Sequence, residues 1–93
     1  MVSAEDRFAR SEDVETSPAG DRVVLYHRRS KNAVVLNPTG SWVWEQLQDP
    51  ASLAALVAEM SRRYPGVAVD QVERDLTVLL DDLKRHGMLE TRP

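Results

Sequence analysis

The sequence predicts a small α+β domain, a winged helix-turn-helix in which a three-stranded antiparallel sheet packs on three helices. β-branched and aromatic residues are concentrated before position 38, and apolar residues recur at helical spacing after it. The chain has 93 residues, enough for one domain, and its 42% hydrophobic and 29% charged residues are typical of a globular protein. Because neither layer buries its own apolar face, the sheet and the helices must cover each other.

The predicted sheet comes first along the chain. Runs of strand-forming residues cover 21–27 and 32–37, and the polar link 28–31 between them suits a hairpin. A shorter first strand is expected over 12–16. Residues 1–11 hold one large apolar residue among charges, so we expect a flexible N-terminal tail there and a folded domain over 12–90.

The first two predicted helices have clear start signals. Asn37 is a favourable N-cap, and Pro38 takes the first helical position, where its missing N–H costs nothing. Ser52 is the N-cap candidate of the second helix, whose apolar residues recur at helical spacing from Leu53 to Tyr64. Both helices are therefore expected to be amphipathic and to present one face to the sheet.

The third helix, expected over 71–86, has the strongest pattern. Asp70 and Glu73 form a D-x-x-E variant of the capping box, and Gly87 stands where a left-handed C-cap is needed. Its broad apolar face consists of Val72, Leu76, Leu79, Leu80 and Leu83.

Composition excludes several kinds of site. The chain has no cysteine, which excludes disulfides, thiolate metal ligation and a cysteine nucleophile. Its two histidines, His27 and His86, lack metal-ligand spacing, and no catalytic triad or phosphate-binding loop is visible, so we expect no metal, cofactor or enzymatic activity. The net charge of −3 disfavours a nucleic-acid partner. Neither a membrane-spanning run nor a signal peptide is visible, which favours a cytoplasmic protein.

Three segments together resemble the PqqD-like proteins, also called RiPP recognition elements. The run from Val35 to Leu47, V-L-N-P-T-G-S-W-V-W-E-Q-L, is similar to that family's signature of L-N-x-T followed by W-x-x-L. An S-L-x-x-L-V motif begins at Ser52, and a V-D motif at Val69 leads to G-M-L at Leu89. The N-P-T-G sequence that starts at Asn37 resembles the lasso-peptide members in particular.

The resemblance implies a non-catalytic adaptor for ribosomally synthesised precursor peptides. Family members bind the leader segment of the precursor as an added β-strand, in the groove between the third strand and the third helix. They present it to a separate enzyme, which is a radical SAM protein in one pathway and a leader protease and cyclase in the lasso-peptide pathways.

The third strand is the first predicted wall of that groove. An edge strand presents unpaired N–H and C=O groups, a template for the addition of another strand. Val34 and Leu36 point to one face of the predicted strand, and Ala33 and Val35 point to the other. We therefore expect these four residues to contact the peptide.

The second predicted wall is one flank of the third helix. Asp75, Leu79 and Asp82 follow each other at i, i+4 and i+7, next to the core-facing stripe. Leu79 suits an apolar floor for the groove, and the two carboxylates suit guest N–H groups or basic side chains. We expect replacement of Asp75 or Leu79 by alanine to weaken peptide binding with little unfolding.

Three other functions remain open on sequence grounds. A winged-helix DNA-binding regulator has the same architecture, but the third helix carries four acidic and three basic residues, which phosphate groups would repel. A small enzyme and a general protein-interaction domain are the others. The basic link contains Arg28, Arg29 and Lys31, and it is either a solvated turn, a docking point for an enzyme or a nucleic-acid wing. Trp42 lies outside the apolar face of the first helix and is a candidate interface residue.

Overall fold

A computed structural model describes residues 6–92 of the chain. Its elements are β1 (Arg7–Arg10), β2 (Val14–Ala19), β3 (Arg22–His27), β4 (Ala33–Leu36), α1 (Pro38–Gln46), β5 (Ala51–Ser52), α2 (Leu53–Arg63), α3 (Val69–Arg85) and β6 (Leu89–Arg92). The α+β class and the three helices are confirmed, whereas the winged-helix label stays a prediction. No helix within the described range is long and apolar enough to cross a membrane.

The predicted sheet is present with strand order β2-β3-β4, and both of its pairings are antiparallel. Its first strand is longer and later than expected, because it continues through Pro18 to a turn at Gly20, whose φ of 69° favours glycine. In the second pairing, Val23 lies opposite Leu36 and Leu25 lies opposite Val34, which places four apolar side chains on one face. That face packs on the helices.

A second small sheet was not predicted. It has the order β5-β1-β6, and β1 lies in the segment expected to be a flexible tail. Phe8 there is only 2% exposed, so one aromatic side chain anchors this segment in the core. The ordered domain therefore begins upstream of residue 12, and residues 1–5 of the expected tail lie outside the described residues.

The predicted starts of the first two helices are confirmed. The side chain of Asn37 accepts a hydrogen bond from the Gly40 N–H at 2.7 Å, and that of Ser52 accepts from the Ala55 N–H at 3.1 Å. Each bond satisfies one of the N–H groups that a helix start leaves without a partner.

The capping box predicted for the third helix is wrong. α3 begins at Val69 with Ala68 as its N-cap, and no side chain caps it. Asp70 is already inside the first turn, where its charge favours the positive end of the helix dipole. The predicted end is confirmed, since Gly87 has a φ of 76° directly after the helix.

One apolar core joins the two sheets and the three helices. Trp44 is 1% exposed and packs at its centre. Trp42, expected outside the apolar face, packs partly against this core, and the Arg63 guanidinium lies 5.3 Å from the centre of its ring. The core residues are Phe8, Val23, Leu25, Leu36, Val43, Trp44, Leu47, Leu56, Met60, Val72, Leu76, Leu80, Leu83, Met88 and Leu89.

Candidate peptide-binding groove

The free edge of β4 presents backbone groups to the outside of the sheet. The N–H of His27 donates to the carbonyl of Asn32 at 2.9 Å, which makes these two residues a hydrogen-bonded pair. Because such pairs alternate along an antiparallel ladder, Val34 and Leu36 also direct their N–H and C=O groups at β3. Ala33 and Val35 direct theirs the other way, toward the open edge.

The side chains of β4 alternate as expected. Leu36 is buried and Val34 is half-buried against the core, so this pair faces the helices. Ala33 is exposed, and Val35 is 60% exposed on the outer face of the sheet. A strand that pairs with β4 would direct every second side chain to the helical side.

Helix α3 runs antiparallel to β4, as contacts at its two ends show. Near its start, Asp75 lines a cavity together with Thr39, which lies just beyond the C-terminal end of β4. Beyond its end, a Cβ placed on Gly87 would lie 3.4 Å from the ring of His27, which pairs with the residue before β4. The two ends of α3 are therefore close to the two ends of β4.

The three residues of the predicted helix flank share one side of α3. Asp75 is exposed, and its Oδ1 accepts from the Gln71 side chain at 2.8 Å. Leu79 is half-buried against the core, as a groove floor requires. Asp82 is exposed and accepts from the Arg85 guanidinium at 2.6 Å. On that side Asp75 lines a cavity with Thr39 and with Tyr64 at the end of α2, and Glu73 on the opposite flank lines another with residues of α2.

A cavity of about 180 Å³ lies at the α1 end of the groove. It is lined by Thr39, Met60, Tyr64, Val67, Val72 and Asp75. Its walls are mainly apolar, and hydroxyl groups and one carboxylate lie among them, a combination common in sites that hold one side chain of a ligand.

The hydroxyl of Tyr64 is tied to its surroundings. The Nε of Arg63 donates to it at 3.4 Å, and the hydrogen bonds of Arg63 and then Thr39 lower the pKa of Tyr64 below its ordinary value. Sequence reasoning missed Thr39, Tyr64 and Val67 as site residues. Thr39 could have been predicted as a site residue from its position three residues after the edge strand. Tyr64 and Val67 reach the cavity only through the packing of α2 on α3, which the sequence does not reveal.

The other edge of the same sheet is less open. The N–H of Arg28 donates to the carbonyl of Asp13 at 2.8 Å, so the alternation along β2 points Val14, Thr16 and Pro18 outward. Pro18 has no N–H, and the N–H of Val14 is bonded to a carbonyl within the chain. Of the two edges of this sheet, β4 is the better template for an added strand.

The predicted basic link does not form a free basic surface. Arg28 lies 3.8 Å from the carboxylate of Glu15, and Arg29 lies 3.3 Å from that of Asp13. These ion pairs neutralise two of its three cations locally, so the nucleic-acid wing has no support from the geometry. Within residues 6–92, no group of three or more histidine, cysteine or acidic residues is placed to hold a metal ion.

Comparison with protein families decides the affiliation of the chain. Residues 22–89 match the family described as coenzyme PQQ synthesis protein D, or PqqD. The chain belongs to the PqqD family. Comparison of this PqqD-family chain with curated proteins gave no match.

Two solved structures have closely similar folds to this PqqD-family chain. One is TbiB1 in complex with the TbiA(beta) leader peptide, with 29% identity, a TM-score of 0.82, and coverage of 88% of this chain and 94% of the other. The second is lasso peptide synthetase B1 complexed with the leader peptide, with 26% identity, a TM-score of 0.78, and coverage of 89% and 96%. In both cases the similarity covers nearly nine-tenths of this chain.

Proposed function

We propose that this protein binds the leader segment of a ribosomally synthesised precursor peptide and presents it to a separate modifying enzyme. The observation that carries the proposal is the open, uncharged backbone edge of β4. Two structurally similar proteins were solved with a leader peptide, which supports the same class of ligand for this chain.

The guest peptide pairs with β4 through its backbone. Ala33 and Val35 each offer one N–H and one C=O, so four backbone hydrogen bonds are available along this short edge. Each bond contributes about 0.5–1.5 kcal/mol net, and these contributions are independent of the guest's sequence. The edge therefore supplies affinity, and selectivity must come from the side chains of the groove.

Selectivity arises on the helical side of the guest. Guest side chains opposite Val34 and Leu36 point toward Leu79, because cross-strand partners share a face. At the α1 end, the cavity beside Tyr64 receives an apolar guest side chain. Asp75 at its wall accepts a hydrogen bond from the guest backbone or pairs with a basic guest side chain.

The partner is an enzyme that acts on the captured precursor, and the chain itself is non-catalytic. The lasso peptide synthetase B1 structure favours an enzyme of a lasso-peptide pathway, a leader protease with a cyclase. A radical SAM partner, the other enzyme type expected from the sequence resemblance, stays a prediction. In either pathway the adaptor fixes the leader and leaves the remainder of the precursor free to enter the enzyme.

Calorimetry with backbone-methylated peptides tests the proposal. The probe is a synthetic leader of the precursor encoded in the same gene neighbourhood, with N-methyl groups placed at successive positions. Only every second guest N–H points toward β4, so the loss of affinity is expected to alternate with a period of two residues. A loss without this alternation would contradict strand addition, and an unmodified leader that fails to bind would contradict the function.

A further inference from the structure

His27 contacts the turn that leads into β4. Its Nδ1 accepts hydrogen bonds from the backbone N–H groups of Arg29 and Ser30, both at 3.2 Å. Its own carbonyl accepts from the N–H of Lys31 at 2.9 Å, and Lys31 adopts a φ of 67°, an uncommon conformation for a residue with a side chain. The imidazole therefore holds a turn whose backbone is not in a favoured conformation.

The same ring lies against the end of α3. A Cβ on Gly87 would lie 3.4 Å from Cδ2 and 3.5 Å from Nε2 of His27, which is van der Waals distance. Gly87 terminates the helix with its left-handed φ of 76°. One half-buried side chain thus lies between the turn that leads into β4 and the glycine that follows α3.

We propose that His27 is a positioning residue, which aligns the β4 edge with α3 for the incoming peptide and makes leader binding sensitive to acid. The inference rests on the proposed leader binding. Nδ1 accepts two N–H groups only while it carries no proton. Protonation turns this acceptor into a donor facing two donors, so the turn rearranges and the edge strand loses its alignment.

The charged groups around the ring come from three elements. On the β2 side, Asp13 and Glu15 pair with Arg29 and Arg28 of the turn. Lys31 completes the turn. At the end of α3, Asp82 pairs with Arg85, and the Nδ1 of His86 lies 2.8 Å from the Asp82 carbonyl.

Histidine is the residue type that takes up a proton most readily when the pH falls from 7.5 to 5.5. The chain contains only two histidines, His27 and His86. An acid effect on the groove can therefore be assigned to one of them with two single variants.

The first variant keeps a hydrogen-bond acceptor for the turn but has no imidazole that could take up a proton. In His27→Asn the amide oxygen occupies a position similar to that of Nδ1, and it does not titrate in this range. The second variant, His86→Gln, removes the other histidine and is the matched control. Thermal unfolding of each variant at pH 7.5 verifies that it is folded.

Amide hydrogen exchange in the free protein, measured by NMR, tests the structural part without any ligand. Between pH 7.5 and 5.5, the protection factors of Val34 and Leu36, corrected for intrinsic exchange, are expected to fall about three- to tenfold in the wild type and in His86→Gln. They should stay constant in His27→Asn. Constant protection in the wild type, or the same fall in His27→Asn, would overturn the proposal.

Calorimetry with the synthetic leader tests the functional part. We expect the affinity to fall about three- to tenfold between pH 7.5 and 5.5 in the wild type and in His86→Gln, the effect of weakening one or two hydrogen bonds. In His27→Asn the ratio of the two affinities should be close to one, whatever its absolute affinity. The same ratio in His27→Asn as in the wild type would overturn the role of His27. If no form binds the leader at pH 7.5, the proposed function fails, and the exchange experiment still decides the structural role.

Discussion

The two edge strands of the sheet, β2 and β4, flank the same central strand but differ in what they offer to another chain. The backbone N–H and C=O groups of β2 that point away from β3 belong to Thr16 and Pro18 among others, and the proline lacks the N–H that a partner strand would need. In β4 the backbone groups of Ala33 and Val35 point to the open edge, and each residue keeps one N–H donor and one C=O acceptor there. One proline, together with the internal hydrogen bond of the Val14 N–H, therefore leaves β2 with fewer free backbone donors than β4.

The surroundings of the two edges differ as well. Beside β2, the Thr16 hydroxyl accepts from the Trp44 indole at 3.0 Å, and the Arg10 guanidinium lies 4.6 Å above that ring and donates to the Trp44 carbonyl. Burial lowers the pKa of Arg10, an effect that Glu45 opposes. The chain's own residues therefore pack beside β2, whereas the proposed leader peptide would pack beside β4.

The largest effect is expected when β4 is made to resemble β2. Val35→Pro removes an outward N–H and puts a pyrrolidine ring where the guest carbonyl would approach, so leader affinity should fall by on the order of tenfold or more. The melting temperature should change little, because this N–H points away from β3. Val35→Thr keeps the N–H and is the control. Calorimetry that finds equal affinity for Val35→Pro and Val35→Thr would show that the guest does not pair with this edge.

Replacing the groove floor should have the next largest effect. Leu79→Ala removes apolar surface whose exposed part the proposed guest on β4 would cover, and we expect affinity to fall about five- to tenfold, or about 1 kcal/mol. Because Leu79 is only half-buried, the loss of folding stability should stay near 1–2 kcal/mol. Val78→Ala, at a neighbouring position that is 62% exposed, should change neither quantity. Equal effects of the two variants in calorimetry and urea unfolding would remove Leu79 from the site.

The Asp75 carboxylate should contribute less to leader affinity than the Leu79 side chain does. Asp75→Ala removes an exposed acceptor, and we expect about a threefold loss of leader affinity, the size of one exposed polar contact. If the guest group is basic, the loss should shrink when salt is raised, because screening weakens the wild-type contact. Asp81→Ala on the same helix is the control. An unchanged affinity at low salt would leave Asp75 as a solvated helix residue.

The smallest effect on leader binding is expected when β2 is made to resemble β4. Pro18→Val restores an outward N–H on the closed edge, and leader affinity should stay within twofold of the wild-type value, since the groove is on the other side of the sheet. Self-association should increase, because an open edge invites pairing between copies. Analytical ultracentrifugation measures this at several concentrations. An unchanged monomer would mean that the proline is not what closes this edge.

Local signals in the sequence predicted most of the structure near the groove. Asn37 and Ser52 act as N-caps through bonds that span three residues, and Gly87 ends its helix by its own φ. The alternation along β4 follows from a period of two within four residues. Interactions of such short range can be predicted from one sequence, whereas the peptide-binding role of the strand wall and the helix flank stays a prediction.

The remaining features depend on contacts between residues far apart in the chain. β1 is a strand because Phe8 pairs with Ala51 on one side and Thr91 on the other, and no pattern within four residues reveals this. The cavity residue Tyr64 reads as one more apolar position of α2 until that helix packs on α3. Asp70 illustrates the opposite error: its local capping signal lies two residues after the actual N-cap, Ala68, because the helix has already begun.

The pairing of β1 with β6 has a consequence for how the domain can be joined to other proteins. Arg7 and Arg92 are directly opposite each other in that ladder, so the two ends of the described chain lie about 5 Å apart. Adjacent ends allow a domain to be inserted into a loop of a host protein or to be circularly permuted without stretching the fold. A fusion at either end would emerge from the second sheet, so the β4 edge should stay accessible in a chimaera that carries its enzyme on the same polypeptide.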